Sequence, residues 1–216
     1  SRLTPRPPYH MHVDALNTAM VLLADHDLAA STFAARVAAS TRAHPYAVVG
    51  AGLAAMDGPL HGAASGLAWS MLSEAVHSGD PLGTVSARLR TGGGVPGFGH
   101  PLYPAGDPRA ATLLGILADP DPGTETPPSP VMESVTAIAG VMRARAGVAP
   151  NIDLALAAFT LEHDMPVDAG EAIFAVARTA GWIAHAIEEY ADQPSRFRPA
   201  GRYAGLPPLN GGTLHP

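Results

Sequence analysis

Apolar residues recur along this chain every three or four positions, and this spacing restricts the fold more than any other feature. In the first segment that carries it, Val13, Leu16, Met20 and Leu23 share one face of a helix. Comparable segments follow one another through most of the chain, and none shows the alternation of apolar and polar residues that is typical of a strand. We therefore predict an all-α fold.

Turn and capping residues divide this pattern into separate helices. Ser31 and Thr32 are the expected N-caps of the second helix. Asp107 and Pro108 supply the N-cap and the first turn of a later one, and Gly79 ends an apolar helix that spans roughly residues 63–77. These residues set the expected bounds of three helices.

The longest helical pattern begins near Asp168 and has a wide apolar face. Arg178 interrupts this otherwise apolar stretch, so it requires either an ion-pair partner inside the bundle or a ligand. The apolar face carries Ile173, Phe174, Val176, Ala177, Ala180, Ile183, Ala184 and Ile187.

Length and composition limit the protein classes that fit. With 216 residues, 47% hydrophobic and 15% charged, the chain suits one domain with a smaller lobe and excludes a disordered protein. It has no cysteine, which excludes disulfides, thiolate zinc sites and a cysteine nucleophile. No apolar run approaches the roughly 18 residues that span a bilayer, so we expect no membrane association and a cytoplasmic location.

The charge balance argues against a nucleic-acid partner. The net charge is −6, and all thirteen basic residues are arginine, so the chain lacks the basic field that binds phosphate backbones. Arginine without lysine is consistent with the codon bias of a GC-rich genome. It is equally consistent with carboxylate recognition, because a guanidinium group holds a carboxylate with two parallel hydrogen bonds.

Three histidines and one aspartate lie at breaks between the predicted helices: His26, His61, His100 and Asp153. A histidine at a helix N-terminus is kept neutral by the helix dipole and can donate a hydrogen bond to a developing oxyanion. The aspartate could then serve as the base, with arginines holding a substrate that bears several carboxylates. Buried structural histidines are the alternative interpretation. His10 and His12 have no partners at metal-site spacing, and we predict no metal.

Several segments, in this order, resemble the citrate synthase family. No single tetrapeptide would be sufficient, but an ordered set along nearly the whole chain is specific. The segments comprise residues 25–32, 58–63 (GPLHGA), 97–109 (from GFGH to DPR), 150–153 (PNID), 177–182 (ARTAGW) and 198–205.

The resemblance implies a reaction and three catalytic residues. A short acyl-CoA condenses with a 2-oxo dicarboxylate such as oxaloacetate, and the thioester is then hydrolysed. Asp153 would remove a proton from the acyl methyl group while His61 donates a hydrogen bond to the thioester oxygen. His100 would polarise the ketone that the new carbon nucleophile attacks.

The resemblance also implies binding residues. His26, Arg109 and Arg178 would hold the substrate carboxylates, and Arg198 would reach in from the neighbouring subunit of a homodimer. Coenzyme A enters as a thioester substrate, and no tightly bound cofactor is expected.

The loop over residues 91–101 contains too many glycines and prolines for a regular element. Within it, the resemblance assigns CoA binding to Val95, Gly97, Phe98 and Gly99. The glycines of this loop would let the backbone approach the CoA without interference from side chains.

The family layout implies two helical domains that close over a cleft. Residues 1–74 and 177–216 would belong to the large domain and residues 75–176 to the small one. Family members have a long helical region before the first motif, whereas about two dozen residues precede His26 here. The chain is therefore expected to be a fragment, one part of a two-chain enzyme, or a reduced relative with another role.

Some residues depart from the family pattern. Ala29 stands where the family usually has an asparagine, and Pro101 replaces a basic residue that commonly follows the second histidine. These changes leave two hypotheses open. One is a condensing enzyme acting on acetyl-CoA or propionyl-CoA, and the other is a non-catalytic subunit that binds a dicarboxylate or CoA.

Overall fold

The structure, a computed structural model, describes residues 3–5, 10–58, 61–119, 127–202 and 204–205. Within these ranges the regular structure consists of helices, and the single β pairing is an isolated bridge between Phe98 and Pro150. The all-α prediction is confirmed. The helices are α1 His10–Ala24, α2 Ala30–Ser40, α3 Pro45–Met56, α4 Ala64–Ser78, α5 Pro81–Arg90, α6 Pro108–Ala118, α7 Pro130–Ala146, α8 Ile152–Glu162 and α9 Ala169–Ala191.

The predicted helix boundaries hold at two of the three positions. Gly79 ends α4 in the left-handed conformation, with φ of 65°. Asp107 caps α6 by accepting a hydrogen bond from the backbone N–H of Arg109. The prediction for α2 was wrong, because its N-cap is Ala29 and both Ser31 and Thr32 are buried inside the helix.

Two clusters of buried apolar side chains hold the helices together. The first surrounds α9, where Trp182 is fully buried, and draws on α1, α2, α3 and α6. The second lies between α4, α5 and α7, with Met71 and Ile138 among its members. Helix α8 contributes to both, with Leu156 in the first cluster and Leu154 in the second. It therefore joins the two halves of the bundle.

Helix α1 ends directly against α9 at a glycine. A Cβ atom on Gly181 would lie 2.2 Å from the carbonyl oxygen of Ala24, so no other residue fits there without moving the backbone. One turn earlier on α9, the Nε of Arg178 donates a hydrogen bond of 2.8 Å to the carbonyl oxygen of Leu23. These contacts fix the turn that carries His26.

The apolar face of α9 is divided between the core and the surface. Ile173 and Phe174 are buried, but Val176 and Ile187 are each 62% exposed, because they lie on the side of α9 away from the other helices. Leu53 of α3 is also exposed and lies beside α9. We call this surface the outer apolar face, and it comprises Leu53, Val176 and Ile187.

No helix in the described ranges combines the length and the apolar character needed to cross a lipid bilayer.

Candidate active site

A cleft of about 500 Å³ opens where the two halves of the bundle meet. All three residues predicted to be catalytic line it, and so do three of the four predicted to bind substrate. The structure therefore brings together side chains that are up to about 150 residues apart in sequence. These six residues are His26, His61, His100, Arg109, Asp153 and Arg178.

Four helices point their N-termini at this cleft. Ala30 of α2, Ala64 of α4, Arg109 of α6 and Asp153 of α8 all lie in first turns and all line it. The N-cap residues of α2 and α4 are alanines, so neither helix has a side-chain cap. Helix N-termini carry partial positive charge and unpaired N–H groups, so the cleft favours anions.

Asn151 connects the His100 loop to the helix of Asp153. Its Nδ2 donates a hydrogen bond of 2.9 Å to the carbonyl oxygen of Gly99, and its Oδ1 accepts one of 3.0 Å from the N–H of Asp153. Its own N–H donates to the carbonyl oxygen of Gly97 at 2.9 Å. The positions of the histidine and the aspartate are thereby linked through one side chain.

Of the four residues predicted to bind CoA, Gly99 lines the cleft. Val95 and Phe98 are partly buried against the second apolar cluster. Gly97 has φ of 84° and faces α8, where a Cβ would lie 2.7 Å from the Cβ of Leu154. Close packing between the loop and α8 is therefore enough to require glycine at this position.

We expect Gly97→Ala to lower the free energy of unfolding by about 2 to 4 kcal/mol, because the added methyl both strains the backbone and overlaps Leu154. Gly94→Ala is the matched control, since no atom lies within 4 Å of a Cβ built there. Urea unfolding of both variants measures the difference. Equal stabilities would contradict the packing argument.

Asp107 holds Arg109 in a two-point ion pair. The Nε and Nη2 of Arg109 donate to the two carboxylate oxygens of Asp107 at 3.0 and 2.8 Å. The backbone N–H of Ile152 donates to the Oδ2 of the same carboxylate at 3.1 Å. Burial alone would raise the pKa of Asp107, but the hydrogen bonds and charge of Arg109 outweigh it and hold that pKa below its usual value. Asp107 thus fixes the arginine against the start of α8.

Arg178 is buried, with 1% of its surface exposed, yet its two terminal nitrogens have no hydrogen-bond partner within the described residues. Its guanidinium carbon lies 4.8 Å from the centre of the Phe174 ring. Burial lowers its pKa to about 10, so the group stays charged at neutral pH. A buried, charged and unpartnered guanidinium in a cleft is suited to bind a carboxylate.

His61 is fixed by two contacts. Its Nε2 lies 2.8 Å from the hydroxyl of Ser31, and its ring meets Phe174 edge to face, with centres 5.8 Å apart. Burial, and then the charge of Arg178, lower the pKa of His61, so the ring is neutral at pH 7. A neutral imidazole keeps one N–H group, and in this position it can donate a hydrogen bond to a substrate oxygen.

His26 and His100 lie beside each other in the cleft. Their ring centres are 5.2 Å apart in an edge-to-face arrangement. Burial and then the charge of Arg109 lower the pKa of both, and their mutual repulsion adds to the effect at His26. Both histidines are therefore neutral at pH 7, and each has one ring nitrogen that donates and one that accepts.

Asp153 has the electrostatic properties of a general base. Burial raises the pKa of its carboxyl group from 3.8 to about 6, and the charge of Arg109 offsets part of this rise. A carboxylate whose pKa lies near neutrality is both ionised at pH 7 and able to hold a proton.

The raised pKa of Asp153 makes the stability of the fold depend on pH. Its folded pKa lies above its unfolded value, so the ionised carboxylate destabilises the fold, beginning near pH 4 and fully above about pH 6. We expect Asp153→Asn to raise the free energy of unfolding by about 2 kcal/mol at pH 7 and much less at pH 4. Urea unfolding at the two pH values tests this, and an equally stable variant at pH 7 would contradict it.

Arg198 does not line the cleft of its own chain. It lies on the exposed tail after α9, which runs along α2. The ring of Phe197 stacks on that of Phe33, with ring centres 6.2 Å apart. The backbone N–H of Phe197 donates a hydrogen bond to the hydroxyl of Ser40. The structure therefore leaves the predicted role of Arg198 in a neighbouring copy untested.

Comparison with known proteins agrees with the resemblance noted in the sequence. Residues 2–200 match the family model described as citrate synthase, C-terminal domain. The chain belongs to the citrate synthase family. It is 36% identical to the citrate synthase of Haloferax volcanii, over 94% of this chain but 53% of that protein. It thus spans about half the length of the curated family members it matches.

Solved structures of the citrate synthase family share the fold. The citrate synthase of Thermotoga maritima is 31% identical, with a TM-score of 0.79, and this chain covers 56% of it. The citryl-CoA lyase of Hydrogenobacter thermophilus is 27% identical, with a TM-score of 0.83, and this chain covers 80% of it.

Sequence reasoning missed the residues that orient the citrate synthase-like site. Ser31 and Asp107 were predicted as helix caps and as parts of motifs, and Asn151 and Tyr103 as parts of motifs, but none of the four was predicted to orient the site. Asp107 and Asn151 cap α6 and α8, and of these two caps the sequence analysis predicted Asp107. Their second contacts, to Ile152 and to Gly99, join segments distant in sequence and left no local signal.

Proposed function

We propose that this chain carries the active site of a citrate synthase-like acyltransferase, which condenses a short acyl-CoA with oxaloacetate or a related 2-oxo acid and then hydrolyses the thioester. One observation carries the proposal: the same cleft holds Asp153 and Arg178. Asp153 is a carboxylate with a pKa of about 6, and the terminal nitrogens of Arg178 have no hydrogen-bond partner within the described residues. A base poised near neutrality and a fixed site for a carboxylate are what this condensation requires.

The first step is proton abstraction. Asp153 takes a proton from the methyl group next to the thioester carbonyl, and the electron pair moves to the carbonyl oxygen. Neutral His61, fixed by Ser31 and Phe174, donates a hydrogen bond to that oxygen and stabilises the enol or enolate. Its lowered pKa suits this role, because a neutral donor leaves the developing charge on the substrate.

The second step forms the carbon–carbon bond. The enol carbon attacks the ketone of the 2-oxo acid, and His100 gives the ketone oxygen a hydrogen bond and then its proton, while its second ring nitrogen takes up a proton from solvent. Asp153 releases the proton that it removed from the acyl methyl group to solvent. Water then hydrolyses the thioester, releasing the carboxylic acid and the free thiol of CoA. Exclusion of bulk water during the first two steps protects the enol from being reprotonated.

The substrate carboxylates are held by Arg178, by the edge of Arg109 that Asp107 does not use, and by His26. The four helix N-termini that line the cleft add to the attraction of anions. Ala29 and Ala30 give one wall of the cleft a small apolar surface. Because alanine side chains form no hydrogen bonds, this wall does not identify the 2-oxo acid, and a substrate series is needed to establish it.

The assembled enzyme is part of the same proposal. Residues 1–74 and 177–216 belong to a large domain and residues 75–176 to a small one, and the two close over the cleft. The outer apolar face is covered by a second copy in a homodimer, which brings Arg198 to its neighbour's cleft. Val95, Gly97, Phe98 and Gly99 approach the CoA, and the protein is cytoplasmic.

The reverse reaction, cleavage of citryl-CoA to acetyl-CoA and oxaloacetate, is the second candidate. One observation favours it, since the fold matches the Hydrogenobacter citryl-CoA lyase with a TM-score of 0.83 and the Thermotoga citrate synthase with one of 0.79. The same residues would serve in reverse, with His100 accepting the hydroxyl proton and Asp153 returning a proton to the acyl carbon. No hydrolysis of the thioester is then required.

Two assays separate these functions. Release of free CoA thiol is followed with oxaloacetate and either acetyl-CoA or propionyl-CoA, and oxaloacetate formation is followed separately with citryl-CoA. Thiol release supports the synthase and ranks its acyl substrates. Oxaloacetate formation from citryl-CoA without thiol release from acyl-CoA would support the lyase instead. Absence of both, with oxaloacetate still bound, would favour a non-catalytic binding subunit.

A further inference from the structure

Tyr103 lies among three residues of the cleft without being assigned a role in the proposed reaction. Its hydroxyl is 2.9 Å from the Nε2 of His26. Its ring centre is 5.0 Å from that of His100, and the guanidinium carbon of Arg109 lies 5.7 Å from it. One phenol therefore contacts both histidines and the arginine on this side of the cleft.

The hydrogen bond between Tyr103 and His26 determines where the proton of His26 resides. Neutral histidine carries its proton on one ring nitrogen, and the partner of the other nitrogen selects which one. A phenol donates a hydrogen bond more strongly than it accepts one, and the nearby charge of Arg109 strengthens its tendency to donate. The hydroxyl is therefore the expected donor to Nε2, which would place the proton of His26 on Nδ1.

We propose that Tyr103 is a positioning residue that fixes the tautomer of His26, so that His26 offers an Nδ1–H to an oxygen of the 2-oxo acid. The inference rests on the proposed function only for the identity of that oxygen. The tautomer itself is a property of the free protein. Tyr103 thereby acts on the substrate through His26.

The test uses Tyr103→Phe, which removes the hydroxyl and keeps the ring that packs beside His100 and Arg109. Tyr46→Phe is the matched control, because Tyr46 is 85% exposed and lies on α3 outside the cleft. Nitrogen-15 NMR of the histidine rings reads the tautomer directly, and the signals of His26 are assigned by their loss in His26→Gln.

We expect wild type and Tyr46→Phe to show the Nδ1–H tautomer of His26, and Tyr103→Phe to show a mixture. Binding of oxaloacetate, measured by calorimetry, should weaken about tenfold in Tyr103→Phe and stay within twofold in Tyr46→Phe. If the proposed reaction occurs, the KM for oxaloacetate rises to a similar extent while the KM for the acyl-CoA stays unchanged.

An Nε2–H tautomer of His26 in the wild type, or an unchanged tautomer in Tyr103→Phe, would overturn the inference. The NMR measurement needs no substrate, so it remains decisive if the chain proves inactive. If the wild type shows no turnover in any assay but the tautomer shifts as expected in Tyr103→Phe, the proposed function is rejected and the role of Tyr103 is retained.

Discussion

Asp153→Asn is expected to reduce turnover about 10³-fold in the thiol-release assay, because the amide cannot accept the proton of the acyl methyl group. The binding of oxaloacetate should stay within a few-fold, since Arg178 and Arg109 still hold its carboxylates. The loss therefore falls on the chemical step. The same variant is expected to be more stable than the wild type at pH 7, so unfolding does not account for the lost activity.

Asp168→Asn is the matched control, because Asp168 is exposed, precedes α9 and does not line the cleft. It should keep the turnover of the wild type. In the wild type, kcat/KM should fall as the pH drops below about 6, where Asp153 becomes protonated. Turnover that persists unchanged in Asp153→Asn would remove Asp153 from the mechanism.

Arg178→Gln is expected to weaken oxaloacetate binding about 100-fold, because the buried guanidinium supplies two charged hydrogen bonds that nothing else in the described chain occupies. Calorimetric titration measures the change, and circular dichroism shows whether the variant keeps its helices. The hydrogen bond to Leu23 is also lost, so some loss of stability accompanies the loss of binding.

Arg88→Gln removes an arginine of the same charge from α5, where it pairs with Glu74 at the surface and does not line the cleft. It should bind oxaloacetate as the wild type does. If folded Arg178→Gln bound oxaloacetate within twofold of the wild type, the carboxylate would have to lie elsewhere. The two arginine variants together separate a local contact from the effect of net charge.

Local signals predicted most of the helices and singled out four residues of the candidate site. Proline, glycine and aspartate at helix ends act through their own backbone, so Gly79 and Asp107 could be placed from the sequence. His26, His61 and Asp153 lie at or within three residues of such ends, and His100 lies in the loop between α5 and α6. For this reason the breaks in the apolar pattern already marked the candidate site.

Contacts between distant segments could not be predicted in this way. Ser31 is a good N-cap by type, but its hydroxyl lies 2.8 Å from His61, thirty positions away, and the helix begins before it. The apolar pattern of α9 also did not separate Ile173, in the core, from Val176, at the surface. Periodicity reports which residues are apolar, and the packing of other helices decides which of them are buried.

A crystal structure of the chain with oxaloacetate would test the central claim, that six side chains of the cleft form one site for a 2-oxo dicarboxylate. These are the side chains of His26, His61, His100, Arg109, Asp153 and Arg178. The account predicts one carboxylate within hydrogen-bond distance of both terminal nitrogens of Arg178 and the ketone oxygen beside His100. Asp153 should remain free of the ligand and face the position of the acyl methyl group. Oxaloacetate bound outside the cleft, or bound with Arg178 still unpartnered, would contradict it.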